Sequence, residues 1–246
     1  MSASPPGRVA LVTGANKGIG LAVARGLGRL GHVVLIGARD ADRGRAAVEQ
    51  LRQESIDARL QVIDVRHPDS VAAAAGDIER AFGRLDVLIN NAAVKLEFHP
   101  APPSTTPMGI VEDTYRTNVF GTMRVIQAML PLLLASPAPR VVNLSSGLGS
   151  LALAATPGTP YHAKPMLGYN TAKAAVNAMT IQFANEFGAT PLKINAADPG
   201  YVRTDMTRND GRRTPEQGAA IVIRLATLPD DGPTGGFFDE HGPVPW

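Results

Sequence analysis

The sequence predicts an α/β fold, a parallel β-sheet wound with helices on both faces, and three observations support this. Short apolar runs alternate with longer segments of helical periodicity along the whole chain. The short runs are apolar at nearly every position, as strands covered on both faces must be. No linker, repeat or shift in composition divides the 246 residues, of which 44% are hydrophobic, so residues 1–246 are expected to share one domain and one large core. Only a short N-terminal tail at 1–7, polar and proline-containing, stands outside this pattern.

The first strand is expected at 8–12, followed by a glycine-rich turn and a helix over 19–30. A second strand at 33–36 leads into a helix at 42–54, rich in the strong helix formers Ala, Leu, Arg and Glu. Strands at 60–63, 85–89, 141–144 and 194–197 follow, separated by helical segments at 70–82, 109–134 and 166–187. A further helix begins near Pro215. Thr214 can cap it, Pro215 suits its first turn, and Gln217 completes a capping box. About seven strands are expected in all. With right-handed crossovers, ligands belong at the carboxyl ends of the strands. The proline-rich stretch 99–107 and the Gly/Ala/Pro-rich stretch 147–165 read as loops over a strand end rather than as linkers.

Composition removes several functions. The chain has no cysteine, hence no disulfide, no cysteine-based zinc site and no thiol nucleophile. His32, His67, His99, His162 and His241 are too scattered for a paired metal motif, so no metal is expected. The net charge of +2 comes without any Lys/Arg run, which argues against a nucleic-acid partner. No signal-like start is seen, and Pro131 interrupts the most apolar stretch, so no membrane partner and a cytoplasmic location are expected.

The first chemical motif is Thr13-Gly14-Ala15-Asn16-Lys17-Gly18-Ile19-Gly20, between the first strand and its helix. Glycines there let the backbone approach a pyrophosphate, whose charge the helix N-terminus favours. Further motifs follow in order: Asn90-Asn91-Ala92-Ala93 after a strand, Thr117-Asn118-Val119, Asn143-Leu144-Ser145-Ser146 at a strand end, Tyr169-Asn170-Thr171-Ala172-Lys173, and Pro199-Gly200-Tyr201-Val202-Arg203-Thr204. Together they resemble the short-chain dehydrogenase/reductase family over essentially the whole chain. The first matches its TGxxxGxG cofactor signature and the tyrosine segment its YxxxK motif; Ala93 stands where that family usually has glycine. Within the family the chain looks most like the carbonyl reductases, on ANKGIG, ARDADRG, PGYVRTDM and the terminal Trp246.

The resemblance implies a Rossmann-type fold and NADPH-dependent reduction of a ketone, aldehyde or quinone, a small-molecule substrate. Tyr169 is then the general acid. Lys173, one turn on along the same helical face, favours tyrosinate and should lower the Tyr169 pKa from its usual value near 10. Ser146 orients the substrate oxygen, whereas the adjacent Ser145 should point the other way from an extended strand end. Asn118 is implied to hold a water that connects Lys173 to solvent.

For NADP(H), Gly14, Asn16, Lys17, Gly18, Ile19 and Gly20 form the phosphate turn. The second strand ends in Gly37-Ala38-Arg39 with no acid for ribose hydroxyls, and Lys17 and Arg39, helped by Arg43, should clamp a 2′-phosphate. Asp64 and Val65 are assigned to the adenine, and Asn91, Ala92 and Ala93 to the nicotinamide-side ribose, with Tyr169 and Lys173. Pro199, Gly200, Val202 and Thr204 are assigned to the nicotinamide carboxamide. Other readings are an oxidative alcohol dehydrogenase, a 3-oxoacyl carrier-protein reductase, or a non-catalytic NADP(H)-sensing regulator. Ser146 and Tyr169 lie 23 positions apart, so 147–165 reads as an insertion that either roofs an apolar pocket or blocks a dimerising face, leaving monomer or homo-oligomer open. Tyr161 and Lys164 are spaced by three, not four, and are set aside as a false YxxxK pair.

Overall fold

Each apolar run forms a strand, and the strands assemble into one parallel sheet in the order β3-β2-β1-β4-β5-β6-β7. The structure, a computed structural model, describes residues 7–99 and 101–246. Residues 1–6 of the expected tail and Pro100 of the 99–107 loop lie outside the described residues. The strands are β1 (Val9–Thr13), β2 (Val33–Ala38), β3 (Ala58–Val62), β4 (Val87–Asn90), β5 (Arg140–Leu144), β6 (Lys193–Ala197) and β7 (Phe237–Phe238). The helices are α1 (Gly18–Arg29), α2 (Ala41–Gln53), α3 (Pro68–Phe82), α4 (Met108–Tyr115), α5 (Thr122–Leu134), α6 (Leu151–Ala155), α7 (Leu167–Glu186) and α8 (Pro215–Ala226).

Alternation along the continuous apolar strands divides the core in two. Val9 and Leu11 of β1 join Leu88, Val141 and Ile194 under α3, α5 and α7. Ala10 and Val12 face the other way with Val34, Ile36 and Val142, under α1, α2 and α8. A period of two on strands apolar on both faces therefore gives a three-layer sandwich. The order reverses between β1 and β4, which opens a crevice at their carboxyl ends. The turn after β1 lies beside Asn91 and Ala92 there: both backbone N–H groups donate to Thr13 Oγ1, each at 3.0 Å.

Three details differ from the sequence reading. The seventh strand, Phe237–Phe238, is too short for any periodicity to reveal. The stretch 147–165 is not wholly loop: it holds the short helix α6, which Ser150 caps at Leu153 N. The expected helix at 109–134 runs from Met108 to Leu134 but passes through a π-turn at Arg116–Gly121, which contains Asn118. By length and composition that helix is apolar enough to cross a membrane, yet half of it is buried in this fold, as in the core helix of a globular domain. The capping box at Thr214 and Gln217 forms as expected.

Candidate active site

The glycine turn is shaped for an anion. Gly14 and Gly18 both take left-handed backbone, with φ of 65° and 57°. α1 then starts at Gly18 with no side-chain cap and no acid in its first turn. Uncapped first-turn amides at the positive end of a helix suit a pyrophosphate. A Cβ on Gly18 would lie 3.3 Å from Thr204 Cγ2, so the turn and the loop after β6 border the same groove. Asn91 braces the turn: its Nδ2 donates to the carbonyls of Thr13 (2.8 Å) and Gly14 (3.0 Å). The Asn91 amide assigned to a ribose is thus committed to shaping the phosphate turn.

The charges expected at a 2′-phosphate are only partly free. Arg39 follows β2, is exposed, and forms no ion pair among the described residues. Arg43 lies 3.6 Å from Asp40, whose carboxylate also caps α2. Lys17 is paired with Asp205, and that hydrogen bond holds the Asp205 carboxyl below its usual range, with Arg43 contributing. The expected Lys17–Arg39 clamp is therefore half neutralised by an acid 188 residues away in sequence. Asp64 accepts from Arg66 through both side-chain oxygens, which brings it down to about 2, while Val65 is buried.

The catalytic candidates converge on the carboxyl ends of β5 and β6. Ser146 follows β5 in extended backbone; its hydroxyl accepts from Leu148 N at 3.2 Å and acts on the Tyr169 hydroxyl. Ser145 turns inward as expected, 2.5 Å from Asn177 Oδ1. Lys173 is 4% exposed; its Nζ lies 5.7 Å from the Tyr169 ring and donates to the Leu144 carbonyl at 2.6 Å. Burial pushes Lys173 down to about 8, opposed by the negative charge of Asp198. Burial also pushes the Tyr169 hydroxyl up, Asp198 adds to this, and the Ser146 hydrogen bond opposes it. The expected lowering by Lys173 is overturned here, because loss of solvent outweighs a cation turned toward Leu144.

Asn118 has its side chain committed within the fold. Its side chain is clamped to one residue, Oδ1 accepting from Val94 N and Nδ2 donating to Val94 O, both at 2.8 Å. What remains to face a water is its main-chain carbonyl, which accepts from Thr122 Oγ1 at 2.9 Å.

Two buried carboxylates beside the site escaped the sequence reading. Glu97, 6% exposed, reaches from the loop after β4 to the start of α7. Its oxygens accept from Gly168 N (3.0 Å) and Tyr169 N (2.8 Å), capping a helix whose own N-cap, Met166, makes no side-chain bond. Asp198, the residue before Pro199, is 4% exposed and acts electrostatically on both Tyr169 and Lys173. Tyr161, set aside on spacing, faces that same Asp198, whose charge adds to burial in raising its pKa.

Comparison with known proteins places the chain in a family. Residues 8–215 match the family model described as short chain dehydrogenase. Carbonyl reductase [NADPH] 1 of Mus musculus is 35% identical over 286 residues, covering 100% of both chains. The solved salutaridine reductase from Papaver somniferum superposes with a TM-score of 0.81 at 28% identity, over 95% of this chain and 99% of that one. A gluconate 5-dehydrogenase from Burkholderia cenocepacia, solved with NADP and tartrate, gives 0.83 at 25% identity, over 95% and 93%.

Proposed function

This chain belongs to the short chain dehydrogenase family, and from that premise we propose that it is an NADPH-dependent carbonyl reductase with Tyr169 as general acid. The observation that carries the reading is the buried Tyr169, with Ser146 acting on its hydroxyl and Lys173 one helical turn on, at the same carboxyl end of the sheet as the glycine turn.

NADPH fits the groove, since Gly14, Gly18 and the uncapped start of α1 suit a pyrophosphate and Arg39 offers a free cation to a 2′-phosphate. Pro199, Gly200, Val202 and Thr204 border its nicotinamide end, and Val65 and Asp64 its adenine end. When bound, the cofactor supplies the hydride. Tyr169 supplies the proton to the carbonyl oxygen, and its raised pKa keeps the hydroxyl protonated, the form a general acid needs. Ser146 donates to the same oxygen and fixes its position between the two hydroxyls. Lys173, still charged at neutral pH, stabilises the tyrosinate left behind. Asn118 relays protons through a water on its main-chain carbonyl, its amide being locked to Val94. The mouse relative named for carbonyl reduction with NADPH supports the substrate class, a ketone, aldehyde or quinone.

The test is NADPH oxidation with a panel of quinones, aldehydes and ketones. Tyr169→Phe should cut kcat by about 10²–10⁴-fold while the protein stays folded and binds NADPH. Undiminished turnover would overturn the mechanism, and equal efficiency with NADH would remove the assignment of NADPH.

A further inference from the structure

Asp198 lies where the two sides of the cleft meet. It follows β6 directly, and its own N–H donates to Phe238 O at 2.8 Å, which fixes it to the sheet. One side-chain oxygen accepts from Gly147 N at 2.9 Å, the first residue of the 147–165 segment. The other accepts from Gly200 N at 2.9 Å, in the loop that borders the glycine turn. The Tyr161 hydroxyl, from the far end of the 147–165 segment, faces the same carboxylate and acts on it. The Tyr161 ring lies directly on Gly147, where an added Cβ would be 2.4 Å from the ring. Two backbone N–H donors thus point at one group, one at each oxygen, with the phenol beside them. Only an acceptor on both oxygens satisfies that set, which selects Asp over Asn at this position.

We propose that Asp198 is a positioning residue: by gripping Gly147, Tyr161 and Gly200 together it ties the substrate-side segment 147–165 to the cofactor-side loop 199–204, in register across Tyr169 and Lys173. The catalytic part of this inference rests on the reading of Tyr169 and Lys173 given above. Asp198 is 4% exposed, so its charge acts through little solvent on what surrounds it. The groups facing it are Tyr161 on the segment, Tyr169 and Lys173 on α7, and Asp239 after β7. The negative charge helps Lys173 keep its proton against burial. It also draws Tyr161 inward as a neutral phenol, pushed up to about 12 by burial first and by Asp198 next.

The experiment compares wild type, Tyr161→Phe and Asp198→Asn by amide hydrogen exchange and by steady-state kinetics across pH. Tyr161→Phe keeps the ring on Gly147 and removes the hydroxyl that faces Asp198. It should speed exchange across 151–165 by up to about tenfold, the scale of one polar contact, and raise the substrate KM with little change in kcat. Asp198→Asn should speed exchange at both Gly147 and Gly200, lower kcat as well, and move the basic limb of the kcat/KM profile to lower pH, because Lys173 loses its supporting charge. Exchange at wild-type rates in both variants overturns the tie, whatever the kinetics show. Faster exchange with kcat, KM and pH profile unchanged overturns the positioning role. Should Asp198→Asn fail to fold, Tyr161→Phe decides by the same two measurements. Should the wild type reduce no carbonyl in the panel, exchange still decides the tie, and the functional reading is what fails.

Discussion

Buried charges sit at both ends of the same parallel sheet, and the two ends treat them differently. At the amino ends, Arg140 opens β5 and is 1% exposed, and every arm of its guanidinium is occupied. It donates to the carbonyls of Leu228 (2.9 Å), Pro139 (3.0 Å) and Pro191 (3.3 Å) and to Asp230 (2.8 Å). Asp86, just before β4, accepts from Val9 N (2.7 Å), Ser136 Oγ (2.6 Å) and Arg84 (3.2 Å). At the carboxyl ends, Lys173 has three donor protons and, among the described residues, one acceptor, the Leu144 carbonyl. Burial there moves the pKa values of Lys173, Tyr169 and Asp198. At the amino end Arg140 and Asp86 are fully engaged as structure, although burial also lowers Arg8 and His32 there, whereas at the carboxyl end Lys173 keeps donors in reserve beside Tyr169 and Asp198.

The sharpest way to break that contrast is to remove each cation in turn. Lys173→Met should lower kcat/KM for carbonyl reduction by about 10²–10⁴-fold. Its effect on stability should have the opposite sign. An ammonium held at about 8 in the folded chain and 10.5 unfolded opposes folding by roughly 3 kcal/mol at any pH below 8. That cost is relieved as pH rises from about 8 to 10.5, because the unfolded chain then holds the extra proton. The variant loses this pH dependence, and it also leaves the Leu144 carbonyl unpaired, at about 1–2 kcal/mol. A net gain of about 1 kcal/mol at pH 7 is expected, read by urea unfolding at pH 7 and pH 9. A variant less stable than wild type at pH 7 would make Lys173 a structural cation like Arg140.

Arg140→Leu should do the reverse. Asp230 is 83% exposed and returns to water, but three backbone carbonyls lose their donor. About 3 kcal/mol of stability should go, measured as the denaturant midpoint, while turnover per NADPH-titrated site stays at the wild-type value. A loss of turnover per site would show that the two ends are coupled.

The same contrast explains what the sequence could reveal. The strands, the glycine turn and the tyrosine–lysine pair are local patterns, so β1, Gly14, Gly18, Tyr169 and Lys173 were legible. The choice of Ser146 over Ser145 drew on the family resemblance together with alternation along the strand end. What stayed hidden depends on partners far away in the chain. Glu97 serves backbone N–H groups 71 and 72 residues on, and Asp198 serves one 51 residues back; backbone donors leave no residue-type signature. Lys17 reads as a free cation until Asp205 is brought beside it. Tyr161 failed a spacing rule that tests for one job and is blind to another. The π-turn at Asn118 is equally silent, since nothing in Thr117-Asn118-Val119 departs from helical periodicity.

Glu97 sharpens the comparison most finely, because it belongs to the carboxyl end and yet is satisfied like an amino-end group. Each of its oxygens has one backbone donor at the start of α7, and one of those donors is the N–H of Tyr169 itself. Glu97→Gln keeps one acceptor, sets an amide N–H against the other donor, and removes the negative charge from the helix N-terminus. Loss of the charge and one cap bond should cost about 1 kcal/mol, a drop of about 2–4 °C in Tm for a chain of this size. Because the cap holds the Tyr169 backbone rather than its hydroxyl, kcat should fall only a few-fold and the pH profile should keep its shape. A hundredfold loss of kcat at unchanged Tm would place Glu97 with the under-satisfied groups. The division between the two ends of the sheet would then run through α7 itself.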